Sequence, residues 1–348
     1  MEMARREWSF WRRARHQLDR MGHTAAHLGL WAVTSPGVFL WNKILHGPLK
    51  GQGREVRRVM QGRFRDLLAR DVANVASGVY PRGLLFQFPF LPYLLLAPYA
   101  MTEMPLVYWR KQRGRYDALP ATVERSAYPA YYLRNFHWQT DGWFSDRSAR
   151  IYDIGVEFLF MGTADIMRRM ALAGALERLP RGGSILDLAC GTGRFLLQAR
   201  RARPDIQLAG LDLSPNYLGY ARRLLKGKDV TLIEGNAEAT TLEEGGYDVT
   251  TSVFLFHELP KDARRRVMAE AYRLTKPGGR FVICDSLQHA GNEGLEAFLE
   301  RFPSVYHEPY YGSYLRDDLA LALEETGFRC LSDEQHLVSR VIVAQRPR

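Results

Sequence analysis

The chain has 348 residues, a formal net charge of +10 and a hydrophobic content of 46%. At about 150 residues per domain, this length is sufficient for more than one structural unit with a buried core. The cysteines are Cys190, Cys284 and Cys330, and none of them belongs to a CxxC pair. This pattern excludes a disulfide framework and a cysteine zinc site. We interpret the cysteines as buried thiols in a reducing compartment and expect no metal site.

The N-terminal region carries most of the charge, because residues 1–70 contain 14 Lys or Arg and 5 Asp or Glu. An uncharged apolar run follows from Gly83 to Thr102. Its length would cross a bilayer, but Pro89, Pro92 and Pro98 interrupt a regular helix. Aromatic side chains are interleaved with the basic residues, namely Trp8, Phe10, Trp11, Trp31, Phe39 and Trp41.

Several interpretations of this region stay open. Basic and tryptophan side chains together favour contact with an anionic membrane surface. Alternatively, the apolar run packs against the rest of the chain, and the basic residues form an ordinary solvated helix face. Nucleic acid is a further partner for a basic segment, but no recognisable binding module accompanies the charge. We expect no signal peptide, because the apolar stretch from Leu28 to Leu40 is short and contains Pro36.

Aromatic residues are dense between Tyr128 and Asp153. Such density suits either a surface that binds a cation through the ring faces or a packing cluster that joins the two halves of the chain. The next segment, Val156 to Leu176, has the apolar spacing of an amphipathic helix.

An apolar run, a carboxylate and a glycine-rich turn follow one another from Ile185 to Phe195. The run predicts a strand that is buried on both faces of a parallel sheet, and the residues after the turn open a helix. Gly191 and Gly193 allow the backbone to approach a ligand closely. Dinucleotide enzymes use a glycine turn at the same place, but the third glycine of their pattern is absent here. The arrangement predicts a nucleotide-like ligand.

Further strand ends follow along the chain. Leu208 to Ser214 is an apolar strand that ends in a carboxylate, and Glu234 to Ala239 marks the end of a third strand. Tyr247 to Pro260 is a fourth strand with its exit loop, and Leu274 to Ser286 contains a Pro-Gly-Gly turn and a fifth strand. Val338 to Arg346 predicts an antiparallel last strand.

A tyrosine-rich segment, Phe302 to Leu319, lies between two helical patterns after the fifth strand. Open α/β sheets bind ligands in the loops beyond the carboxyl ends of their strands, so we interpret this segment as a pocket wall. Its prolines, Pro303 and Pro309, fit a rigid connector equally well.

The spacing Asp-x-x-x-Gly-x-Gly, over Asp187 to Gly193, resembles the first motif of class I methyltransferases that use S-adenosylmethionine (SAM). The later strand ends occur in the order of that family, and the resemblance is closest to ubiquinone/menaquinone-type C-methyltransferases and their small-molecule relatives. It covers roughly Arg178 to the C-terminus. It implies an α/β fold with a doubly wound, Rossmann-like, seven-stranded methyltransferase sheet and a helical N-terminal extension. We divide the chain into a helical N-terminal region (1–125), a lid with a lead-in helix (126–177) and a SAM-binding domain (178–348).

The resemblance also implies how SAM is held. Asp187 and the Gly191–Gly193 turn hold the methionine part, and Asp212 accepts hydrogen bonds from both ribose hydroxyls. Asn236 and the backbone of Ala237 contact the adenine; members of the family often carry Asp at the position of Asn236. The implied SAM contacts are Asp187, Ala189, Cys190, Gly191, Gly193, Asp212, Leu213, Asn236, Ala237 and Phe254.

In methyltransferases of this type, helices before the first strand cover the open top of the sheet and exclude water from the sulfonium. The resemblance therefore implies that the aromatic segment Tyr128 to Asp153 is a lid. The pocket residues expected from the lid and from the tyrosine-rich segment are Trp143, Tyr152, Tyr306, His307, Tyr310 and Tyr311.

The exit of the fourth strand faces the methyl group in this family, which implies that His257 and Glu258 are candidate general bases. His137 is a further catalytic candidate, and His307 is held in reserve. A structural histidine at the strand end explains His257 equally well, because some enzymes of the family need no base.

These implications predict an enzyme that transfers a methyl group from SAM to carbon or oxygen of an apolar small molecule, such as a quinone-like, isoprenoid or lipid acceptor. The alternatives are a non-catalytic SAM-binding or membrane-complex assembly protein, and an enzyme of the same fold with other chemistry. Nucleic acid is not expected as the acceptor, because the loop after the fourth strand lacks the Asn/Asp-Pro-Pro-Tyr/Phe sequence of enzymes that methylate base amino groups. We expect a cytoplasmic protein, either free or at the inner face of the membrane.

Overall fold

The computed structural model describes residues 15–29, 53–88, 95–96, 98–100, 102–160 and 162–348. Within these ranges, no helix combines the length and the apolar character that crossing a bilayer requires. The predicted membrane-facing surface falls partly outside the described residues, and it stays a prediction. Its members outside them are Trp8, Phe10, Trp11, Trp31, Phe39, Trp41, Pro89 and Pro92.

One mixed sheet forms the centre of the protein. Its strands are β1 (Ser184–Leu188), β2 (Gln207–Asp212), β3 (Val230–Glu234), β4 (Tyr247–Val253), β5 (Thr275–Ser286), β6 (Arg329–His336) and β7 (Ser339–Gln345). The spatial order is β3-β2-β1-β4-β5-β7-β6, with β1 to β5 parallel and β7 antiparallel to both of its neighbours. The predicted seven-stranded, doubly wound sheet and its antiparallel last strand are confirmed.

Helices cover both faces of the sheet, as the apolar runs of its central strands predict. In β1, Ile185 belongs to the core on one face, whereas Leu186 and Leu188 belong to the core on the other. The helices are α1 (15–29), α2 (Arg54–Ala76), α3 (Met104–Arg113), α4 (Asp146–Leu159), α5 (Ala164–Leu176), α6 (Arg194–Ala202), α7 (Pro215–Leu224), α8 (Lys261–Leu274), α9 (Glu296–Val305), α10 (Tyr311–Leu315) and α11 (Leu319–Glu325).

The helix predicted over Val156 to Leu176 consists instead of the end of α4 and all of α5. The chain turns at Gly162, where φ is 78°. The Glu157 carboxylate then accepts hydrogen bonds from the backbone N–H groups of Ala164 at 3.2 Å and Asp165 at 3.1 Å. A carboxylate that satisfies two free N–H groups stabilises a new helix start. The prediction of one helix was wrong because the apolar periodicity continues across this break.

A buried polar network joins α2 to α5. Asp71 of α2 accepts hydrogen bonds from Arg169 of α5, with Nε to Oδ1 at 2.9 Å and Nη2 to Oδ2 at 2.6 Å. The Tyr80 hydroxyl donates to the same carboxylate at 2.5 Å, and the His23 ring contacts it at 2.9 Å. Burial alone would raise the pKa of Asp71, but the Arg169 charge holds it well below its usual range. Charged contacts therefore fix the N-terminal region on the helix that leads into the sheet.

Helix α2 also reaches the edge of the sheet. The Arg63 guanidinium donates to the side-chain oxygen of Gln335 in β6 at 2.9 Å, and Arg70 donates to Glu334 at 2.8 Å. These two basic residues of the N-terminal region thus contact the outermost strand. The division of the chain at residues 125 and 177 stays a prediction.

Candidate active site

A cleft opens at the carboxyl ends of β1, β2 and β4 and contains about 1040 Å³ of space, part of it open to solvent. Turns after the strands form its floor, and aromatic residues of the 126–177 segment form its roof. Open α/β sheets bind ligands at this position. The predicted site residues that line the cleft are Asp187, Ala189, Cys190, Gly191, Asp212, Leu213, Asn236, Ala237, Phe254, Trp143, Tyr152 and Glu258.

The turn after β1 holds its shape through left-handed backbone conformations. Ala189, Gly191 and Gly193 have φ values of 57°, 53° and 80°. A Cβ atom on Gly191 would meet nothing within 4 Å, so its backbone is open to a ligand. A Cβ atom on Gly193 would lie 2.9 Å from Cδ1 of Leu225, which places Gly193 against the end of α7 and away from the cleft lining. The two glycines therefore serve different purposes, ligand approach and helix packing.

Asp212 ends β2 and faces the cleft. Its Oδ2 accepts a hydrogen bond from the backbone N–H of Gly191 at 2.8 Å, and its Oδ1 accepts one from Ser214 at 2.8 Å. Burial raises the pKa of Asp212 to about 6, although the backbone donors oppose this rise. Each oxygen of the carboxylate keeps a lone pair for a ligand hydroxyl.

Asp187 lies in β1 on the floor of the cleft, where 2% of the residue is exposed. Its Oδ1 accepts a hydrogen bond from the Thr251 hydroxyl of β4 at 2.7 Å. Burial raises the pKa of Asp187 to about 7, and the nearby charge of Asp212 contributes to this rise. Burial thus makes the carboxylate costly to ionise, and a cationic ligand group would favour its ionised form.

The turn after β3 presents Asn236 and Ala237 to the cleft. Asn236 Oδ1 accepts a hydrogen bond from the backbone N–H of Glu238 at 3.0 Å, which fixes the amide and leaves one oxygen lone pair free. Phe254 follows β4, has a φ of 59°, and its ring stacks on Phe160 at a centroid distance of 5.4 Å. An amide and an aromatic ring thus both line the cleft.

Three rings pack edge to face in the roof. Centroid distances are 5.4 Å for Trp143 and Tyr152, 5.2 Å for Trp143 and Tyr217, and 5.5 Å for Tyr152 and Tyr217. The roof is tied to the floor, since the Ser214 hydroxyl donates to the Trp143 carbonyl at 2.6 Å. Aromatic faces around a cavity stabilise a cation by about 0.5 to 2 kcal/mol per contact. Trp143 and Tyr152 of the predicted lid therefore line the cleft together with Tyr217 of α7, which the sequence did not suggest. That this segment acts as a lid stays a prediction.

Arg168 and Arg194 also line the cleft, and the sequence analysis missed both. Arg168 Nη1 donates to Asp165 Oδ1 at 2.9 Å, and Arg194 also contacts Asp165. A buried guanidinium at the rim of a cleft suits recognition of a ligand carboxylate. No sequence pattern distinguishes these two arginines, because each lies in an amphipathic helix in which charged residues are expected on the solvent-facing side.

The candidate bases occupy different depths. Glu258 lines the cleft, and burial together with the charge of Glu308 raises its pKa. His257 lies behind it, with Nδ1 at 2.6 Å from Asp285 Oδ1 and Nε2 at 3.9 Å from Glu258 Oε1. Burial alone would lower the pKa of His257, but Asp285 raises it to about 9. His257 is thus an imidazole held by a carboxylate, and Glu258 is the member of the pair that faces the cleft.

His137 does not line the cleft; its ring contacts the buried carboxylate of Glu308. Burial opposes protonation of His137, yet Glu308 raises its pKa. His137 therefore belongs to the layer behind the roof, next to the His257–Glu258 pair.

The tyrosine-rich segment does not form the cleft wall that the sequence predicts, because it packs one layer further out. Tyr311 lies at a centroid distance of 5.9 Å from His257, and Tyr306 lies 6.1 Å from His137. Tyr310 lies 6.4 Å from the Tyr131 ring, and His307 stacks on Tyr116 at 5.0 Å. The sequence left two interpretations of this segment, a pocket wall and a rigid connector. The contacts favour the connector, because the segment packs against aromatic residues of the 126–177 segment and against His137 and His257.

Known proteins with similar sequences are methyltransferases. Residues 185–279 match the family model described as a methyltransferase domain. The chain is 34% identical over 144 residues to demethylmenaquinone methyltransferase of Thermus thermophilus, which is 41% of this chain and 63% of that protein. It is 32% identical over 147 residues to the ubiquinone/menaquinone biosynthesis C-methyltransferase of Desulfotalea psychrophila, which is 42% of this chain and 58% of that protein. The chain thus spans less than two thirds of the length of these relatives.

Among solved structures, a SAM-dependent methyltransferase from Aquifex aeolicus is similar, with 20% identity and a TM-score of 0.38 over 48% of this chain and 84% of that one. The family match covers the carboxyl ends of β1, β2, β3 and β4. The predicted resemblance to class I methyltransferases of the ubiquinone/menaquinone type is confirmed.

Proposed function

We propose that the protein binds SAM in the cleft and transfers its methyl group to carbon or oxygen of an apolar small molecule of quinone-like, isoprenoid or lipid type. One observation carries the proposal. Asp187, Asp212 and the glycine turn converge on the floor of one cleft with an aromatic roof, within the residues that match a methyltransferase domain.

The donor fits the cleft in one direction. Asp187 receives the ammonium of the methionine part, and Arg168 receives its carboxylate, since opposite charges pair best where water is excluded. Asp212 accepts from the two ribose hydroxyls, and Asn236 with Ala237 contacts the adenine edge. The sulfonium then lies below the rings of the roof, where a cation is favoured over a neutral group.

The chemistry needs alignment more than activation. The acceptor atom forms a bond to the methyl carbon, the electron pair of the S–CH3 bond stays on sulfur, and the acceptor loses a proton. Alignment of two bound reactants is worth about 7 to 11 kcal/mol, and a general base contributes a factor of about 10² to 10⁴. Glu258 is our candidate for the group nearest the leaving proton, with His257 behind it.

We expect an apolar acceptor because aromatic and aliphatic side chains, among them Phe136, Leu255 and Leu259, line the cleft beside the polar residues of its floor. The names of the relatives from Thermus thermophilus and Desulfotalea psychrophila refer to menaquinone and ubiquinone, which agrees with a quinone-like acceptor. We place the reaction in the cytoplasm. We further propose peripheral contact with the inner membrane face through the basic N-terminal region, because an apolar acceptor partitions into lipid.

The test is transfer of label from methyl-labelled SAM, with a membrane extract and an aqueous metabolite extract as separate sources of acceptor. We expect label in a lipid-soluble product from the membrane extract. Label confined to water-soluble product contradicts the acceptor class, and SAM binding without label in either extract contradicts the activity and favours an assembly role.

Variants locate the activity in the cleft. At a SAM concentration near the dissociation constant of the unaltered protein, Asp212→Ala should lower labelling by about 10-fold or more, because it weakens SAM binding. The combined His257→Ala and Glu258→Ala variant should lower labelling by at least about 10²-fold even at saturating SAM. Asp205→Ala is the matched control, because Asp205 is an exposed aspartate that pairs with Arg203 outside the cleft. Its labelling should equal that of the unaltered protein.

A further inference from the structure

We propose that His137, His257, Glu258 and Glu308 bind one divalent transition-metal ion beside the cleft, next to its lining residue Glu258. Each residue offers one donor atom, and the four donor atoms lie within 4.8 Å of one another. The residues come from three parts of the chain: the turn Phe136–Trp138, the turn Phe256–Glu258 after β4, and the loop before α10.

The burial of two carboxylates in one place calls for a cation. Glu258 is 8% exposed and Glu308 is 2% exposed. Apart from its contact with His137, the Glu308 carboxylate accepts no hydrogen bond from the residues that the structure describes. Two buried carboxylates that share so few donors are costly unless positive charge compensates both of them. A metal ion between the two glutamates supplies that charge and leaves both imidazoles neutral.

The orientation of His257 matches that of a metal ligand. Its Nδ1 lies 2.6 Å from Asp285 Oδ1, so Nε2 points toward the other members of the cluster. Metal-bound histidines usually donate their second ring N–H to a carboxylate, which fixes the tautomer and orients the ring. Asp285 is held in turn, because it accepts from the backbone N–H groups of Phe256 at 2.7 Å and Ser286 at 2.7 Å. The cluster thus has the outer support of a metal site as well as the donors.

His137 shows a third sign of a selected geometry. Its backbone φ is 53°, which is the left-handed conformation. This conformation is energetically unfavourable for any residue that has a Cβ atom. Such conformations persist where the surrounding structure fixes them, and they are common at functional sites. Here the conformation directs the imidazole to Glu308.

The donor set selects the class of ion. Two imidazoles with two carboxylates suit zinc, manganese, iron(II) or cobalt, whereas magnesium and calcium prefer oxygen donors throughout. Metal–ligand bonds of about 2.0 to 2.2 Å put the donor atoms of one ion about 3 to 4 Å apart, so side-chain shifts of about 1 Å would bring the four donor atoms to these separations. The sequence predicted no metal because that expectation considered cysteine alone.

The position suggests a role, and this part rests on the proposed methyl transfer. Glu258 is the ligand that also lines the cleft, so an open coordination position would face the acceptor. A metal ion there would hold an acceptor oxygen and favour its deprotonated form, so that the proton is released to water. In the metal-bound protein Glu258 would then act as a ligand, and its role as a base would apply only to the metal-free protein. A phenolic or enolic oxygen on the apolar acceptor fits this position.

Metal binding is tested without SAM, so its outcome is independent of the methyl-transfer assay. The untagged full-length chain is stripped with a chelator, dialysed, and titrated by calorimetry with zinc(II) and, separately, manganese(II). We expect about one ion per chain. Glu308→Gln keeps the shape of the side chain and should weaken binding by at least about 100-fold, and His289→Ala, which removes a histidine beside Glu300 outside the cluster, should leave it unchanged.

A spectroscopic measurement covers the case in which the Glu308 variant does not fold. The manganese-loaded unaltered protein should show nitrogen couplings from two imidazoles in pulsed electron paramagnetic resonance. Absence of stoichiometric binding, equal affinity in the folded Glu308→Gln variant, or a manganese signal without imidazole nitrogen each overturns the proposal.

Discussion

Substitution of Asp187 by asparagine should stabilise the ligand-free protein while it weakens SAM binding. The Asp187 carboxylate is buried and receives one hydrogen bond, from the Thr251 hydroxyl. Burial raises its pKa from the ordinary 3.8 to about 7. At 1.36 kcal/mol per pH unit, this difference amounts to at most about 4 kcal/mol of lost stability above pH 7. Asparagine keeps an oxygen for Thr251 and never ionises, so it removes this loss.

The sign and the pH range follow from the raised pKa. Between pH 3.8 and about 7 the folded protein keeps the Asp187 proton, whereas the unfolded chain has released it. The stability that the neutral carboxyl contributes is therefore complete below pH 3.8 and is lost as the pH rises to about 7. The gain from Asp187→Asn should be about 3 kcal/mol larger at pH 8 than at pH 5.

Urea unfolding of the unaltered protein and of Asp187→Asn at pH 5 and pH 8 measures the gain, and calorimetry measures SAM affinity. We expect a more stable variant whose affinity for SAM is at least about 10-fold weaker, because the ligand ammonium loses a charged partner. Comparison with the unaltered protein at each pH cancels the other titrating groups. A variant that is less stable at pH 8, or a gain that is equal at both pH values, would refute the reasoning.

Other substitutions test the floor of the cleft and its attachment to the N-terminal helices. Asp212→Ala should lower SAM affinity by about 2 kcal/mol or more, close to 30-fold, because two hydroxyls lose a charged acceptor; unchanged affinity by calorimetry would exclude the ribose assignment. Gly193→Ala should destabilise the protein by about 1 to 3 kcal/mol, because the glycine has a φ of 80° and its Cβ would clash. Gly219→Ala, in the interior of α7 with no atom near the added Cβ, is the matched control and should be neutral or stabilising in the same thermal melts. Asp71→Asn leaves the Arg169 charge buried without its partner and should cost about 3 to 5 kcal/mol, and a loss below about 1 kcal/mol in urea unfolding would contradict this role.

The parallel half of the sheet could be predicted because its signals are local. Each buried strand is a short apolar run followed within a few residues by a turn or a carboxylate, as Leu186 to Gly193 illustrates. The order of such units along the chain determines most of the topology. The edge strand β6 gave no such signal, since six of its eight residues are polar or charged.

The floor of the cleft could be predicted for the same reason, but its sides could not. Asp187 and Asp212 stand at strand ends, where the topology alone brings them together. Arg168 reaches the cleft from a helix that precedes the first strand, and its contact with the ligand space depends on how that helix packs. The cluster of His137, His257, Glu258 and Glu308 could not be predicted either. Apart from the neighbours His257 and Glu258, its members lie far apart in sequence, and no motif with a fixed spacing connects them.

The contacts of α2 with β6 bear on how the protein can be shortened. An edge strand has unpaired backbone N–H and C=O groups that can form hydrogen bonds with a strand of another molecule. Folded proteins usually cover or block such an edge. Hydrogen bonds from Arg63 and Arg70 hold α2 against the edge strand β6. A fragment trimmed to the part shared with the quinone-type relatives would uncover the edge strand and the apolar surface beneath α2 together. Such a fragment should self-associate during purification. A shortened protein that retains residues 54–76 should stay monomeric, because α2 would still cover the edge strand.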